Sequence, residues 1–217
     1  MHLVVINASP RVEKKSNTAR IIRTFLRGYE KKGHTAEVWH LSDKKQWESA
    51  REAYEKNEHV LFAIPLYVEN LPGIMLEFLE TLTPKTEKGT KMSFLLQGGF
   101  AEASQLRCGE AYLEMLPSYF NCEYAGTLIK GDNFGATWVS EELAEKMVAH
   151  YEAMGISFAE KGYFDKEEVT EFAKPEYFTK GQIRSHKIIG RWMQKAMFHS
   201  IAKKVGCTKP LNDKPYL

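Results

Sequence analysis

This sequence is short of several things, and each shortage removes a class of function. No run of about 18 apolar residues occurs, so no transmembrane helix is expected. The opening "MHLVVINASP" has no basic stretch before its short apolar run, so no secretory signal is expected either. There are only three cysteines, Cys108, Cys122 and Cys207, odd in number and far apart. They form neither a C-x-x-C pair nor a disulfide framework, which points to a reducing cytoplasm. The seven histidines are scattered singly, so no metal site is expected. The net charge is only +2, which argues against a dedicated nucleic-acid binder. Both glycine-rich phosphate fingerprints, G-x-x-x-x-G-K-[ST] and G-x-G-x-x-G, are absent, as are internal repeats.

What is present is an alternation. At 217 residues and 43% hydrophobic, the chain can bury one sizeable core. "LVVI" (3–6), "TAEVWHL", "HVLFAI", "KMSFLLQ" and "CEYAGTLI" read as five strands. Helical patterns lie between and after them, at about 17–32, 44–57, 73–82, 102–119 and 139–161. Most of the strands are continuous apolar runs, the mark of a parallel sheet covered on both faces. Residues 162–182 read as irregular, and 184–205 as one further amphipathic helix. Its stripe would be Ile188, Ile189, Trp192, Met193, Ala196, Met197, Ile201 and Val205. Cys108 and Cys122 are expected in the core of a helix and a strand, and His150 and His199 at the surface or an interface.

Ligands of an open parallel sheet bind beyond the carboxyl ends of its strands. Three segments there have unusual composition. The first, "NASPRVEKKSNTAR", gathers Ser9, Arg11, Ser16, Asn17 and Thr18 just before a helix N-terminus. Hydroxyls, an amide, a guanidinium and the free N–H groups of a first helical turn suit a phosphate dianion. Ser-Asn-Thr also caps helices, but capping needs one such residue and not five. The second, "PLYVENLPG", sets Pro65 and Pro72 seven apart, which is expected to hold the chain extended beside a flat ring. Tyr67 would cover the ring and Asn70 would hydrogen-bond it; an ordinary strand-to-helix turn is the alternative. The third, "QGGFAEAS", offers Gly98 and Gly99 for close approach and Phe100 as a wall, or simply a tight turn. "GDNFG", 131–135, follows the fifth strand and reads as a turn, with a further rim loop that touches the ligand as the alternative.

Together, "ASPRVEKKSNTA" and "PLYVENLPG" resemble the phosphate loop and flavin loop of the flavodoxin-like NAD(P)H-dependent FMN reductase and quinone reductase superfamily. Ala8 stands where that family usually has glycine, and the cysteine cluster of the related iron–sulfur flavoproteins is missing, so no Fe–S centre is expected. The resemblance implies a three-layer α/β/α sandwich with a five-stranded parallel sheet over residues 1–161. It implies bound FMN, with NADH or NADPH as co-substrate. Ser9, Arg11, Ser16, Asn17 and Thr18 would hold the phosphate. Pro65, Leu66, Tyr67, Val68 and Asn70 would line the ribityl chain and ring, and Gly98, Gly99 and Phe100 would meet the pyrimidine end. The implied activity passes hydride from NAD(P)H to flavin and electrons on to a small acceptor such as a quinone or flavin; no catalytic side chain is named. The alternative is an electron carrier without its own NAD(P)H oxidation. A homodimer is also implied.

Charge is unevenly spread. Residues 176–217 hold nine basic residues and two acids, a net of +7, against −5 for residues 1–175. Residues 162–217 therefore read as a basic helical extension packed on the body or on a partner subunit. Contact of its helix with an anionic membrane surface, through Trp192, Lys195 and Lys203, is the second reading.

Overall fold

The computed structural model describes residues 1–210 and 212–214, and the side chains at all of these positions except 188, 189 and 191–194. It contains two compact units, Met1–Glu176 and Tyr177–Leu217.

In the first unit, five strands alternate with helices: β1 (His2–Asn7), α1 (Asn17–Glu30), β2 (Thr35–His40), α2 (Trp47–Lys56), β3 (His59–Pro65), α3 (Gly73–Leu79), β4 (Lys91–Gln97), α4 (Arg107–Met115) and β5 (Glu123–Lys130). Three helices follow, α5 (Glu141–Val148), α6 (Tyr151–Lys161) and α7 (Lys166–Ala173). All strand pairs are parallel, in the order β2-β1-β3-β4-β5. This is the flavodoxin-like order, and its switch point lies between β1 and β3.

Layering follows from handedness. The step from β1 to β2 runs one way along the sheet, and every later step runs the other way. Right-handed crossovers then put α1 on one face and α2, α3 and α4 on the other. On the second face, Trp47 of α2 meets Phe78 of α3 edge to face at 5.4 Å. On the first, α6 packs along α1, and Phe25, Tyr29, Phe158 and Phe164 form one aromatic cluster. The central strands β1, β3 and β4 are buried along nearly their whole length, which is why they read as unbroken apolar runs. The edge strand β2 is only half-buried, and its sequence alternates accordingly.

Three expectations need correction. The helix expected over 139–161 is two helices separated by a turn at Ala149–His150. The stretch 162–182 is not irregular throughout. Asp165 caps α7 by accepting from the Glu167 and Glu168 N–H groups, and α7 packs against β5. Cys108 is exposed rather than in the core, and Cys122, half-buried, precedes β5 rather than lying within it.

In the second unit, Thr179 and Gln182 form a capping box that opens α8 (Lys180–Ser185). The chain continues through a π-helical turn, His186–Gly190, into α9 (Arg191–Lys204), so the expected single helix has a different winding at its middle. The stripe expected at Ile188, Ile189, Trp192 and Met193 lies outside the described side chains; Met197, Phe198 and Val205 are exposed. This unit carries nine basic residues and one acid, Asp213, a net of +8. No helix among the described residues is long and apolar enough to cross a membrane.

Candidate functional site

The loops leaving β1, β3, β4 and β5 are joined by hydrogen bonds into one rim at the carboxyl edge of the sheet. Gln97, the last residue of β4, donates from Nε2 to Thr18 Oγ1 at 3.3 Å, and its carbonyl accepts from the Leu66 N–H at 2.8 Å. Asn17 Nδ2 donates to the carbonyl of Asn133 at 2.8 Å. Asn133 N–H in turn donates to the carbonyl of Gly98 at 3.1 Å. Arg11 reaches from the first loop to Thr137 Oγ1 at 3.4 Å. The three segments singled out from sequence, and "GDNFG" with them, therefore meet.

The first loop is a nest of buried hydroxyls. Ser9, Ser16 and Thr18 are each at most 3% exposed. Ser16 caps α1, its Oγ accepting from Ala19 N–H at 3.2 Å, and its carbonyl takes Arg20 N–H. The first four N–H groups of a helix have no partner inside it. With Ala19 and Arg20 supplied by Ser16, those of Asn17 and Thr18 remain. Ser9 Oγ accepts from Arg11 N–H at 3.2 Å. Each of the three hydroxyls is thus held as an acceptor and keeps its own proton to donate. Arg11 is exposed and brings positive charge to the same loop. Three O–H donors, two N–H donors at a helix N-terminus and a guanidinium make a donor set suited to a phosphate.

The second loop differs from its sequence reading. Pro65 ends β3, but the chain does not stay extended to Pro72. Tyr67 and Asn70 exchange both backbone hydrogen bonds at 3.0 Å, closing a turn over Val68 and Glu69. Val68 and Glu69 have φ of +49° and +63°, a type I′ arrangement usually given to Asn-Gly. The reciprocal pairing prevails over the stiffness that two prolines supply. It leaves Tyr67 42% and Val68 99% exposed at the rim. Behind the turn, Leu66, Glu69, Asn70, Leu71, Cys108 and Tyr112 line a cavity of about 300 Å³.

In the third loop, Gly98 is fully engaged: its N–H donates to Lys130 and its carbonyl accepts from Asn133. A Cβ at Gly98 would stand 2.8 Å from Leu106 Cδ2, and one at Gly99 3.3 Å from Phe134 Cβ, so both glycines serve close packing. Phe100 is 75% exposed.

Three contributors escaped the sequence reading: Asn7, Gln97 and Asn133. Asn133 is 4% exposed, and its Nδ2 lies within hydrogen-bond distance of the Lys130 and Gly131 carbonyls and the Tyr151 hydroxyl. Asn7 and Gln97 had a legible signal, a polar residue closing an otherwise apolar strand. Among the described residues, no group of His, Cys, Asp and Glu is placed to hold a metal ion.

Residues 1–94 match the model of a family described as Flavodoxin-like fold. No curated protein matches the sequence. Among solved structures, the chain is similar to an FMN-dependent NADH-azoreductase from Bacillus anthracis str. Ames Ancestor in complex with FMN. That similarity has a TM-score of 0.54 and 13% identity, over 73% of this chain and 100% of that one. It is similar to an NAD(P)H:quinone oxidoreductase from Methanothermobacter marburgensis, with TM-score 0.55 and 17% identity, over 73% and 96%. It is also similar to general stress protein 14 from Treponema denticola in complex with FMN, with TM-score 0.54 and 14% identity, over 74% and 98%. The chain has a flavodoxin-like fold.

Proposed function

We propose that this chain binds FMN along the rim and works as an NAD(P)H-dependent oxidoreductase for a small acceptor such as a quinone, a flavin or an azo compound. The observation that carries this reading is the nest of buried hydroxyls and helix N–H groups at the β1/β3 switch point, hydrogen-bonded to the loops of β4 and β5. The similar structures of an FMN-dependent NADH-azoreductase, an NAD(P)H:quinone oxidoreductase and an FMN complex support it.

In this reading Ser9, Ser16 and Thr18 donate their hydroxyl protons to the phosphate, beside the N–H groups of Asn17 and Thr18, and Arg11 offsets its charge. Pro65, Leu66, Tyr67, Val68 and Asn70 line the ribityl chain and one side of the ring. Gly98 N–H is committed to Lys130, which leaves the Gly99 amide and Phe100 for the pyrimidine edge. Bound FMN supplies the redox chemistry, taking hydride from NADH or NADPH and returning electrons to the acceptor. The residues on the rim bind and orient, and none is needed as nucleophile or general base. A homodimer and a cytoplasmic setting belong to the same reading. The exposed Tyr112, Met115 and Tyr119 along α4 and the turn after it support the first, and three free thiols the second.

The test is spectroscopic. The purified protein shows flavin absorbance or takes up FMN on titration, and NADH or NADPH bleaches it without oxygen. Initial rates then give parallel double-reciprocal lines. Failure to bind FMN would remove the reading, and binding without bleaching would leave only an electron carrier.

A further inference from the structure

The first loop is held from below by a chain of hydrogen bonds that ends on a histidine. Asn7 closes β1 and His40 closes β2, and the two are paired in the sheet register. Asn7 is 1% exposed. Its Oδ1 accepts from Ser9 N–H at 3.0 Å, two residues along, at the floor of the hydroxyl nest. Its Nδ2 lies 3.0 Å from His40 Nδ1. A backbone N–H can only donate, so the oxygen of Asn7 must face Ser9 and its NH₂ must face His40. His40 Nδ1 must then be an unprotonated acceptor, and the ring's proton sits on Nε2.

We infer that Asn7 and His40 are positioning residues for the phosphate loop, and that neutral His40 holds Ser9 in its binding geometry while protonated His40 releases it. The inference rests on the proposal that this loop takes the phosphate of FMN. With both ring nitrogens protonated, a ring N–H would point at the NH₂ of Asn7. Turning the Asn7 amide over would satisfy His40 and strand Ser9 N–H against the same NH₂. Swinging the ring away would leave the Asn7 NH₂ without its acceptor. Both outcomes unfasten the loop in a buried place where unpaired polar groups are costly.

The surroundings of His40 are consistent with a neutral ring. Its side chain is 13% exposed, and burial pushes its pKa below the ordinary 6.5. Two charged side chains act on it. Glu13, in the turn before α1, has Oε2 3.7 Å from Nε2 and favours the proton. Arg23 of α1, 3.9 Å from Glu13 Oε1, opposes it. Gln46, from the turn before α2, is neutral and accepts from the His40 backbone N–H at 2.9 Å.

A histidine that merely sat near a phosphate dianion would gain a proton when FMN bound. A histidine that must be neutral to hold the loop loses one, because coupling between two binding events is reciprocal. The two cases differ in sign. The His40 ring resonance is titrated by NMR in flavin-free and FMN-loaded protein, and its pKa falls on loading by about one unit, which corresponds to about a tenfold change in affinity. Fluorescence titrations of FMN at pH 8 and pH 5.5 give the partner measurement, with His40→Asn beside the wild type. The Asn amide oxygen stands in for Nδ1 and does not titrate. The variant binds at pH 8 as the wild type does, and at pH 5.5 it lacks the additional loss of about two- to fivefold that a one-unit shift produces at that pH. The loss both proteins share belongs to the phosphate's own titration. A His40 pKa that rises or stays fixed on loading, or equal pH dependence in both proteins, would overturn the inference and leave FMN binding standing. No FMN binding at pH 8 would overturn the reading of the site itself.

Discussion

Gly28 of α1 and Gly155 of α6 mark the place where these two helices touch backbone to backbone. A Cβ on Gly28 would stand 2.0 Å from the carbonyl oxygen of Glu152, and one on Gly155 1.9 Å from that of Phe25. Neither obstacle is a side chain that can turn aside. Gly28→Ala and Gly155→Ala are each expected to destabilise the protein by about 2–3 kcal/mol through overpacking, read as a lower midpoint in urea with an unchanged slope. Wild-type stability in either variant would mean the helices separate at no cost.

Asn133 anchors the loop after β5 from below. Its side chain is buried, with the Tyr151 hydroxyl 3.1 Å from Nδ2. Asn133→Ala removes two buried N–H donors shared among the Lys130 and Gly131 carbonyls and the Tyr151 hydroxyl and should cost about 1–3 kcal/mol, with a matching loss of FMN affinity. Tyr151→Phe removes one partner and should cost about 1 kcal/mol. Chemical denaturation and flavin titration of both variants check this.

Within the first loop the five phosphate candidates separate by role. Thr18 Oγ1 accepts from the buried Gln97 side chain, Asn17 Nδ2 donates to the Asn133 carbonyl and Ser16 Oγ caps α1, so removing any of the three weakens the fold as well as the site. Ser9 and Arg11 carry less structural duty. The double change Ser9→Ala and Arg11→Ala should weaken FMN binding at least tenfold, while the thermal midpoint of the flavin-free protein moves by less than about 4 °C, equivalent to about 1–2 kcal/mol for a chain of this size. A variant that loses stability but keeps FMN affinity would reduce the loop to a helix cap.

Acid should weaken the fold in a defined window. Arg107 forms a paired hydrogen bond with Glu176, and Ser157 and then Lys161 bond to Glu168; both carboxyls are held below the ordinary 4.5. A depressed carboxyl contributes fully above its unfolded pKa and loses that contribution as pH falls through the folded one. The contribution of these two carboxyls should therefore be constant from neutrality down to about pH 5 and fall below 4.5, on top of an earlier loss that begins near 6.5, where burial makes His40, His59 and His150 resist protonation; Arg107→Ala should flatten part of the lower fall. Urea midpoints between pH 3 and 7 measure it.

The thiols should divide two to one. Cys108 and Cys207 are exposed, whereas Cys122 is half-buried beside Tyr54, with its pKa raised by burial. A maleimide at neutral pH should label two cysteines quickly, and the third only on unfolding. Peptide mapping that found Cys122 labelled early would contradict the packing.

The sheet was readable because its central strands are buried on both faces and carry the composition that burial demands. The rim was readable where chemistry is local, as in the crowded hydroxyls before α1. It was unreadable where geometry depends on distant partners. Nothing near Val68 and Glu69 announces left-handed backbone, because the pairing of Tyr67 with Asn70 imposes it. Asn133 reads as one residue of a turn, because its partners lie just after β4, on α1 and on α6. Apolar residues recur at helical spacing through the whole of 139–161, and the turn at Ala149–His150 has no proline or glycine to mark it.

The hydrogen-bonded rim also decides what a bound molecule does to the protein as a whole. Arg11 and Thr137 touch across 126 positions of sequence, and Thr18 and Gln97 across 79. None of these neighbours exists in an unfolded chain, so whatever occupies the crevice recognises only the finished sheet. Its affinity is then added to the cohesion of all the strands at once, and tight occupancy at a hundred times Kd amounts to about 2.7 kcal/mol of resistance to unfolding. Loss of the occupant would be felt first as susceptibility to proteolysis throughout the first unit, and not at the rim alone.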